Sequence, residues 1–238
     1  MKKVLLSVFV GMLCACPMAS HAEGIKAGDQ MVSVFLGGAA PLQDSNISAQ
    51  DVLGATAGTE KLDWGGSAVS YGLQYMYSVT DSFAFGLEYM GNSFSDADYD
   101  QTLYVSPSEW AKASLESSME VHNLMAAGRF TTNPDKDIRF YIPFGLGVAF
   151  SKATLDLEET LVLGGRPTHN SDSVSADNTS FAYYLGLGVE GNFSDQLMWG
   201  VEGRYSAFTM DYGKFDGSDY GKEDLSYFSL LFKLSYKF

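Results

Sequence analysis

The stretch Ser226–Phe238, SYFSLLFKLSYKF, ends the chain and decides how the rest of it is interpreted. Its apolar and aromatic residues occupy every second position and alternate with mostly polar ones: Phe228, Leu230, Phe232, Leu234, Tyr236 and Phe238 against Ser229, Leu231, Lys233, Ser235 and Lys237. Successive side chains of a β-strand point to opposite faces, so this stretch has one unbroken apolar face. A strand that crosses a membrane needs about nine to eleven such residues. The stretch therefore predicts a lipid-facing strand.

The same period-two alternation recurs upstream and predicts seven further strands. In chain order these are Met31–Ala39, Ala68–Tyr77, Phe83–Tyr89, Leu124–Phe130, Phe140–Phe150, Phe181–Val189 and Leu197–Tyr205. The fourth is the least regular, because Met119 to His122 do not keep its phase and predict a bulge or an early strand end. Pro143 is expected to weaken the fifth strand, since proline has no N–H to donate to the hydrogen-bond ladder.

The connections between these strands alternate between long polar segments and tight turns. The long segments are residues 41–66, 91–118, 151–179 and 209–225. This alternation predicts an all-β fold, an eight-stranded antiparallel up-and-down transmembrane β-barrel with both termini on the tight-turn rim and four long loops outside the cell. A soluble barrel would show the same alternation with its apolar face turned inward. Glycines on the other face favour the membrane barrel, because they suit a narrow interior: Gly72, Gly86, Gly145, Gly147, Gly186 and Gly188.

The first 22 residues have the features of a secretory signal peptide. Lys2 and Lys3 precede a short apolar run, and Ser20-His21-Ala22 predicts cleavage after Ala22, which leaves residues 23–238 as the barrel domain. The alternative is lipidation at Cys16, since Leu13 to Cys16 is close to a lipobox. Both cysteines of the chain lie in this leader, so no disulfide or thiol chemistry is expected after cleavage.

The charge of the chain excludes one class of partner. The formal net charge is −14, and loss of Lys2 and Lys3 with the leader makes it more negative. Most acidic residues fall in the four long connections, for example Asp96, Glu158 and Asp219. Nucleic acids and polyanionic glycans need clusters of lysine and arginine and are poor partners. The acidic surface is either a solvated, repulsive one or a site for divalent cations or a basic host protein.

Four charged residues fall on the inward phase of their strands and form the candidate site. Glu88 lies on the third predicted strand, Glu202 and Arg204 lie on the seventh, and Lys233 lies on the eighth. Their similar distance from the tight-turn rim predicts one Glu/Arg/Lys network. An eight-stranded barrel is only just wide enough to be filled by its own side chains, and a paired cluster avoids the cost of isolated buried charge. We therefore expect the network to brace the wall and plug the lumen; the alternative is that each charge is hydrated separately by trapped water.

Motifs for catalysis, metals and cofactors are weak. After the leader only His122, near Glu120, and His169 could act as a catalytic base, and neither completes a serine-centred motif. Asp96-Ala97-Asp98-Tyr99-Asp100 opens like a calcium loop, but Gln101 and Pro107 replace the glycine and glutamate that such a loop requires. We expect no enzyme activity, no metal site and no cofactor.

The aromatic end at Phe238 and the stretch Phe144 to Phe150, FGLGVAF, carry a family resemblance. The chain resembles the small outer-membrane β-barrels of Gram-negative bacteria: the opacity proteins, the OmpX/Ail type and the OmpA transmembrane domain. The resemblance implies that the last strand, with Tyr236 and Phe238, is the signal read by the barrel assembly machinery.

The same resemblance implies a location and a set of partners. These are the outer membrane with its lipid and lipopolysaccharide, periplasmic chaperones during assembly, and a host or surface ligand for the loops. The expected role is that of a surface antigen, an adhesin-like or an envelope-stabilising protein. The alternative is a small porin-like channel, and a lipid A-modifying barrel enzyme is a further one.

Overall fold

The computed structural model describes residues 24–42, 67–106, 109–163, 166–215 and 218–238. The predicted leader and the segment 43–66 lie outside these ranges. Within them eight strands follow one another in the chain: β1 (Gln30–Pro41), β2 (Ala68–Ser78), β3 (Phe83–Ser106), β4 (Glu109–Thr132), β5 (Ile138–Leu163), β6 (Arg166–Asn192), β7 (Leu197–Phe215) and β8 (Ser218–Lys237). None of the described residues belongs to a helix long and apolar enough to span a membrane.

The eight strands form a closed antiparallel barrel in simple up-and-down order. Each strand pairs with the next, and β1 closes the cylinder by pairing with β8, where Val34 lies opposite Leu234. The apolar phase of every strand is exposed on the outside, as at Leu187, which is 71% exposed, and the opposite phase is buried inside. The predicted fold class and the predicted direction of the two faces are confirmed.

The strands extend much further than predicted on the side opposite the tight turns. Residues 91–118, 151–179 and 209–225, predicted as loops, are mostly continuations of β3 to β8. That prediction was wrong because apolar alternation marks only the part of a strand that faces lipid. Beyond the membrane both faces of a strand can be polar while the backbone pairing continues. From Phe150 to Leu163 alone β5 runs on for roughly 45 Å along its axis.

The extensions of β3, β4, β5 and β6 form one four-stranded antiparallel sheet above the apolar band. β3 and β4 pair as far as Ser106 opposite Glu109, and β5 and β6 as far as Leu163 opposite Arg166. The ladder between β6 and β7, in contrast, starts only at Ala182 opposite Phe208. β7 and β8 continue separately as a two-stranded ribbon. The barrel therefore carries a tall sheet and a shorter ribbon on the side opposite the tight turns.

The two irregularities foreseen in the sequence have different outcomes. β4 is continuous through Met119 and Val121, both of which are buried inside the barrel, and the register shift falls on its neighbour β3 between Phe94 and Ala97. Pro143 does interrupt a ladder, because the pairing of β5 with β6 lapses between Tyr141 and Phe144. Proline has no amide proton to donate there, and the strand remains paired with β4 on its other side.

Glycines are paired with aromatic rings across the strands. Each of the following glycines lies directly opposite an aromatic residue whose ring occupies the space a Cβ would need: Gly91 with Tyr71, Gly128 with Phe144 and Gly191 with Trp199 on the outer face, and Gly145 with Tyr184 and Gly188 with Tyr141 on the inner face. Inside the barrel, these pairs let two tyrosine rings lie flat along the wall and bring their hydroxyl groups to the centre.

Candidate functional site: the barrel interior and the exposed sheet

The centre of the lumen is held by Arg204 of β7. Its side chain is completely buried, and it donates Nη2 to Glu88 Oε2 over 2.8 Å. Nη1 contacts the other oxygen of Glu88, and Nε contacts Glu202 Oε1. The guanidinium carbon also lies 4.3 Å from the ring centroid of Tyr184 and 4.8 Å from that of Phe35. One arginine thus ties together β3, β7 and two aromatic rings from further strands.

Neutral groups complete the hydrogen bonding of the two carboxylates. Gln74 Nε2 donates to Glu88 Oε2 over 2.7 Å, and the Tyr184 hydroxyl donates to the same oxygen over 3.2 Å. The Tyr141 hydroxyl donates to Glu202 Oε2 over 2.9 Å. A buried carboxylate is tolerated when its oxygens accept such bonds. The site is therefore a connected layer rather than a set of separate ion pairs.

Lys233 lies beside this layer but contacts neutral groups instead of the predicted carboxylates. Its Nζ donates to Gln74 Oε1 over 3.3 Å and lies 5.0 Å from the Tyr141 ring centroid. No carboxylate within salt-bridge distance of Lys233 is found in the described ranges. β8 places Lys233 opposite Gly200, one inward position nearer the rim than Glu202. Counting residues from the rim on each strand missed this offset, because it ignores the stagger between neighbouring strands.

A second charged layer nearer the tight-turn rim was not predicted. Glu190 of β6 accepts from Arg129 Nη1 over 2.7 Å and from Arg139 Nε over 3.2 Å. Arg139 also donates to Asn192 Oδ1 over 2.7 Å and to the carbonyl of Lys136 over 3.0 Å. The signal was present in the sequence, because all three charged side chains fall on the inward phase of β4, β5 and β6. The same test that selected Glu88 would have selected them.

On the other side of the central layer, the first polar groups among the described residues are uncharged. Asn92 and Asn123 both donate to the Tyr227 hydroxyl, over 3.1 and 2.9 Å, and Ser70 donates to Asn92 Oδ1 over 2.7 Å. Above them an apolar cluster fills the barrel, with members from all eight strands, among them Phe94, Met119, Val121, Phe208, Met210 and Leu225. Beyond the charged layers, the described part of the lumen is occupied by amide and tyrosine side chains and then by mostly apolar ones, and Glu223 is also buried there, opposite Met210.

The four-stranded sheet outside the apolar band presents a charged surface. Lys152 of β5 lies between Glu120 of β4 and Asp177 of β6 in one row of directly opposed residues. Four residues further from the membrane on β4, Glu116 lies opposite Asp156 of β5. Glu158 is the next residue of β5 on the same face. These six side chains are exposed or half-exposed. Most of these side chains are carboxylates. They are exposed because each lies on the outward phase of its strand, and side chains continue to alternate between the two faces beyond the membrane.

The residues considered for catalysis and calcium binding are placed elsewhere. His122 faces outward, where its Nδ1 shares a hydrogen bond of 2.9 Å with the Tyr89 hydroxyl and its ring stacks on that of Tyr89. His169 Nδ1 shares a bond of 3.0 Å with Thr160 Oγ1. The stretch from Asp96 to Asp100 lies within the extended strand β3 instead of a loop. The arrangement of both histidines is that of surface side chains.

Similarity to known proteins agrees with this architecture. The model of a family described as outer membrane protein β-barrel domain matches residues 8–238. The chain belongs to this family of outer-membrane β-barrels. It is therefore a protein of the bacterial outer membrane. No protein in a search of curated proteins matches it.

Three solved structures of similar fold are distant from this chain in sequence. Ail, the attachment invasion locus protein of Yersinia pestis, is 16% identical, with 89% of this chain and 99% of Ail covered and a TM-score of 0.43. Neisserial surface protein A is 14% identical, with 88% and 96% covered and a TM-score of 0.41. OprG of Pseudomonas aeruginosa is 12% identical, with 91% and 99% covered and a TM-score of 0.46.

Proposed function

We propose that this outer-membrane barrel is a non-enzymatic surface protein with a closed lumen, and that its acidic four-stranded sheet binds a basic partner outside the cell. The observation that carries the proposal is the extension of β3 to β6 far beyond the apolar band. A barrel needs only its lipid-facing part to be stable in the membrane. A tall paired sheet of exposed carboxylates adds a rigid binding surface at a defined height.

The filled interior supports the closed lumen. Arg204 with Glu88, and Arg129 with Glu190, are ion pairs between strands that are not neighbours in the barrel. Steady water flow would require these pairs to separate in a medium of low dielectric constant, which is costly. The apolar cluster around Phe208 and Met210 adds a second closure, made mostly of side chains that offer water no hydrogen bond. A porin-like channel is the less favoured function for this reason.

The orientation follows from the same proposal. The tight turns of outer-membrane barrels are short on the periplasmic side and the long connections face outside. The sheet of β3 to β6 would then stand outside the cell, and the rim that carries Lys136 and Asp195 would face the periplasm.

Binding of a cationic probe tests the surface role. Refolded protein in neutral lipid vesicles is titrated with poly-L-lysine and with a panel of basic extracellular proteins. The variant Glu116→Gln/Asp156→Gln/Glu158→Gln should bind about tenfold more weakly, and the effect should shrink as salt is added. The control Asp135→Asn/Asp137→Asn/Asp195→Asn makes the same change of charge on the tight-turn rim and should bind normally.

Two results would overturn the proposal. Equal weakening in both variants would show that only total charge matters and that the sheet is no specific surface. Large, steady open levels of the unmodified protein in a planar bilayer would show that the lumen conducts.

A further inference from the structure

The residues before the first strand, 24–29, pack against the inner wall at the tight-turn end of the barrel. Ile25 is 3% exposed and packs in a cluster with five inward-facing residues of the wall: Met31, Met76, Ala84, Ala127 and Met198. An isoleucine in a solvated leader would expose its whole side chain at the membrane surface. Burial of the isoleucine side chain therefore stabilises the seated segment.

Hydrogen bonds to backbone groups of the same segment hold it against three parts of the rim: the turn between β4 and β5, the turn between β2 and β3, and the end of β8. Ile25 N donates to the carbonyl of Pro134, in the turn between β4 and β5, over 3.2 Å. Gly28 N donates to the carbonyl of Ser78 over 2.7 Å, and Ala27 N donates to Asp81 Oδ1 over 2.8 Å, both at the turn between β2 and β3.

The third attachment comes from the last strand. Lys237 Nζ of β8 donates to the carbonyl of Gly24 over 3.0 Å and lies 3.8 Å from Asp29 Oδ2. A local turn completes the segment, since Asp29 Oδ2 accepts from Lys26 N over 2.8 Å. Residues 24–29 therefore span the mouth of the cylinder from β4–β5 to β2–β3 and β8.

Two glycines in the segment are required by this geometry. A Cβ on Gly24 would overlap the carbonyl oxygen of Pro134, so the backbone can approach this turn only without a side chain. Gly28 has a φ of +94°, which is strained for any residue with a Cβ, although the space around it is open. Glycine is therefore needed at position 24 for the close approach to the turn and at position 28 for the backbone conformation.

We propose that residues 24–29 form a stopper that closes the tight-turn mouth of the barrel, with Ile25 as the side chain that fills it. The stopper seals the lumen below the Arg129–Glu190 layer. It is a property of this mouth alone and does not depend on what the acidic sheet binds. An interior shielded at this end keeps water away from the buried charges above it.

Cysteine accessibility tests the stopper. The full chain is expressed and purified from the outer membrane in detergent with Ala127→Cys, and labelling of this position by a charged thiol reagent is followed by peptide mass. Ala127 contacts the stopper cluster and is buried, so labelling should be slow. Adding Gly24→Ala, Ile25→Ala or a deletion of residues 24–28 should speed labelling about tenfold or more. Lys26→Ala, at an exposed position of the same segment, should leave the rate unchanged.

A second cysteine separates unsealing from general loosening. Ala149→Cys lies in the apolar cluster further up the lumen, and its slow labelling should not change in any of these variants. Heat-modifiable migration in gels identifies variants that fail to fold, and the remaining ones carry the test. An unchanged rate at Ala127→Cys would overturn the proposal, and so would an equal rise at both cysteines, because that would report loss of the whole fold.

Discussion

Arg204 of β7 and Glu88 of β3 form a two-pronged ion pair across the lumen, with Nη2 to Oε2 at 2.8 Å and Nη1 on the second oxygen. The two strands are not neighbours in the barrel, so the pair braces the cylinder across its width. Both side chains are almost completely buried. Breaking such a pair from one side leaves a charge with no solvent to stabilise it.

Removal of Glu202 tests the central layer. Glu202→Ala leaves Arg204 Nε and the Tyr141 hydroxyl without their acceptor. We expect the free energy of unfolding to fall by about 3 kcal/mol, measured by urea titration of the refolded protein in lipid vesicles. Glu120→Ala removes an exposed glutamate from β4 and should change it little. Equal effects of the two substitutions would contradict a bracing role for the layer.

Glu190 should be the most sensitive position of the second layer. It accepts from both Arg129 and Arg139, so Glu190→Ala strands two guanidinium groups and should cost about 3 to 5 kcal/mol in the same titration. The double variant Arg129→Ala/Glu190→Ala should lose less than the two single losses added together. Strict additivity would mean that the pair is not coupled.

The Tyr227 hydroxyl should matter more than that of a lipid-facing tyrosine. Tyr227→Phe removes the acceptor of both the Asn92 and the Asn123 amides inside the barrel, and we expect a loss of about 1 to 3 kcal/mol. Tyr75→Phe provides a matched control, since the Tyr75 hydroxyl bonds with Gln30 at an exposed site. A larger loss in Tyr75→Phe would place the critical hydrogen bond outside the lumen.

Surface labelling tests the orientation. Glu158→Cys on the tall sheet should react with an impermeant thiol reagent on intact cells, whereas Asp135→Cys, in the turn between β4 and β5, should react only after the outer membrane is opened. Both native side chains are exposed, so accessibility within the protein does not limit either reaction. Labelling of Asp135→Cys on intact cells would reverse the topology.

Deletion of Phe238 should impair assembly. Its backbone nitrogen donates to the carbonyl of Gln30 over 2.9 Å, and its ring, 68% exposed to the lipid side, packs edge-on against Tyr236 at 5.0 Å. We expect less heat-modifiable protein in the outer membrane after the deletion, with normal export across the inner membrane. Phe238→Tyr keeps an aromatic end and should assemble normally. A full yield from the deletion variant would exclude Phe238 from the assembly signal.

The sequence was informative wherever one face of a strand meets lipid. Alternation around Leu73, Phe144 and Leu234 placed every membrane-crossing strand and the direction of its faces. Alternation predicts loops where that contrast ends, and this prediction is wrong for the strand extensions around Glu116 and Asp156. Hydrogen bonding between strands is a backbone property that leaves little trace in polar side chains.

The interior was predictable in kind but not in detail. Inward phase was sufficient to select Glu88, Glu202 and Arg204, which the structure places in contact. It could not assign Lys233 its neighbour, because that depends on the stagger between β7 and β8. The stopper around Ile25 lay beyond any periodicity argument, because its residues form no strand.

The pairing of glycines with aromatic rings has a consequence for how this chain can change over time. At Gly188 and Tyr141, or at Gly145 and Tyr184, a larger residue on one strand needs a smaller ring on the other. Neither change is favourable alone, since one creates a clash and the other leaves a void and removes a hydrogen bond to a buried carboxylate. Relatives that have lost such a glycine should therefore have lost its ring as well, and these paired columns would report strand neighbours even where overall sequence identity is low.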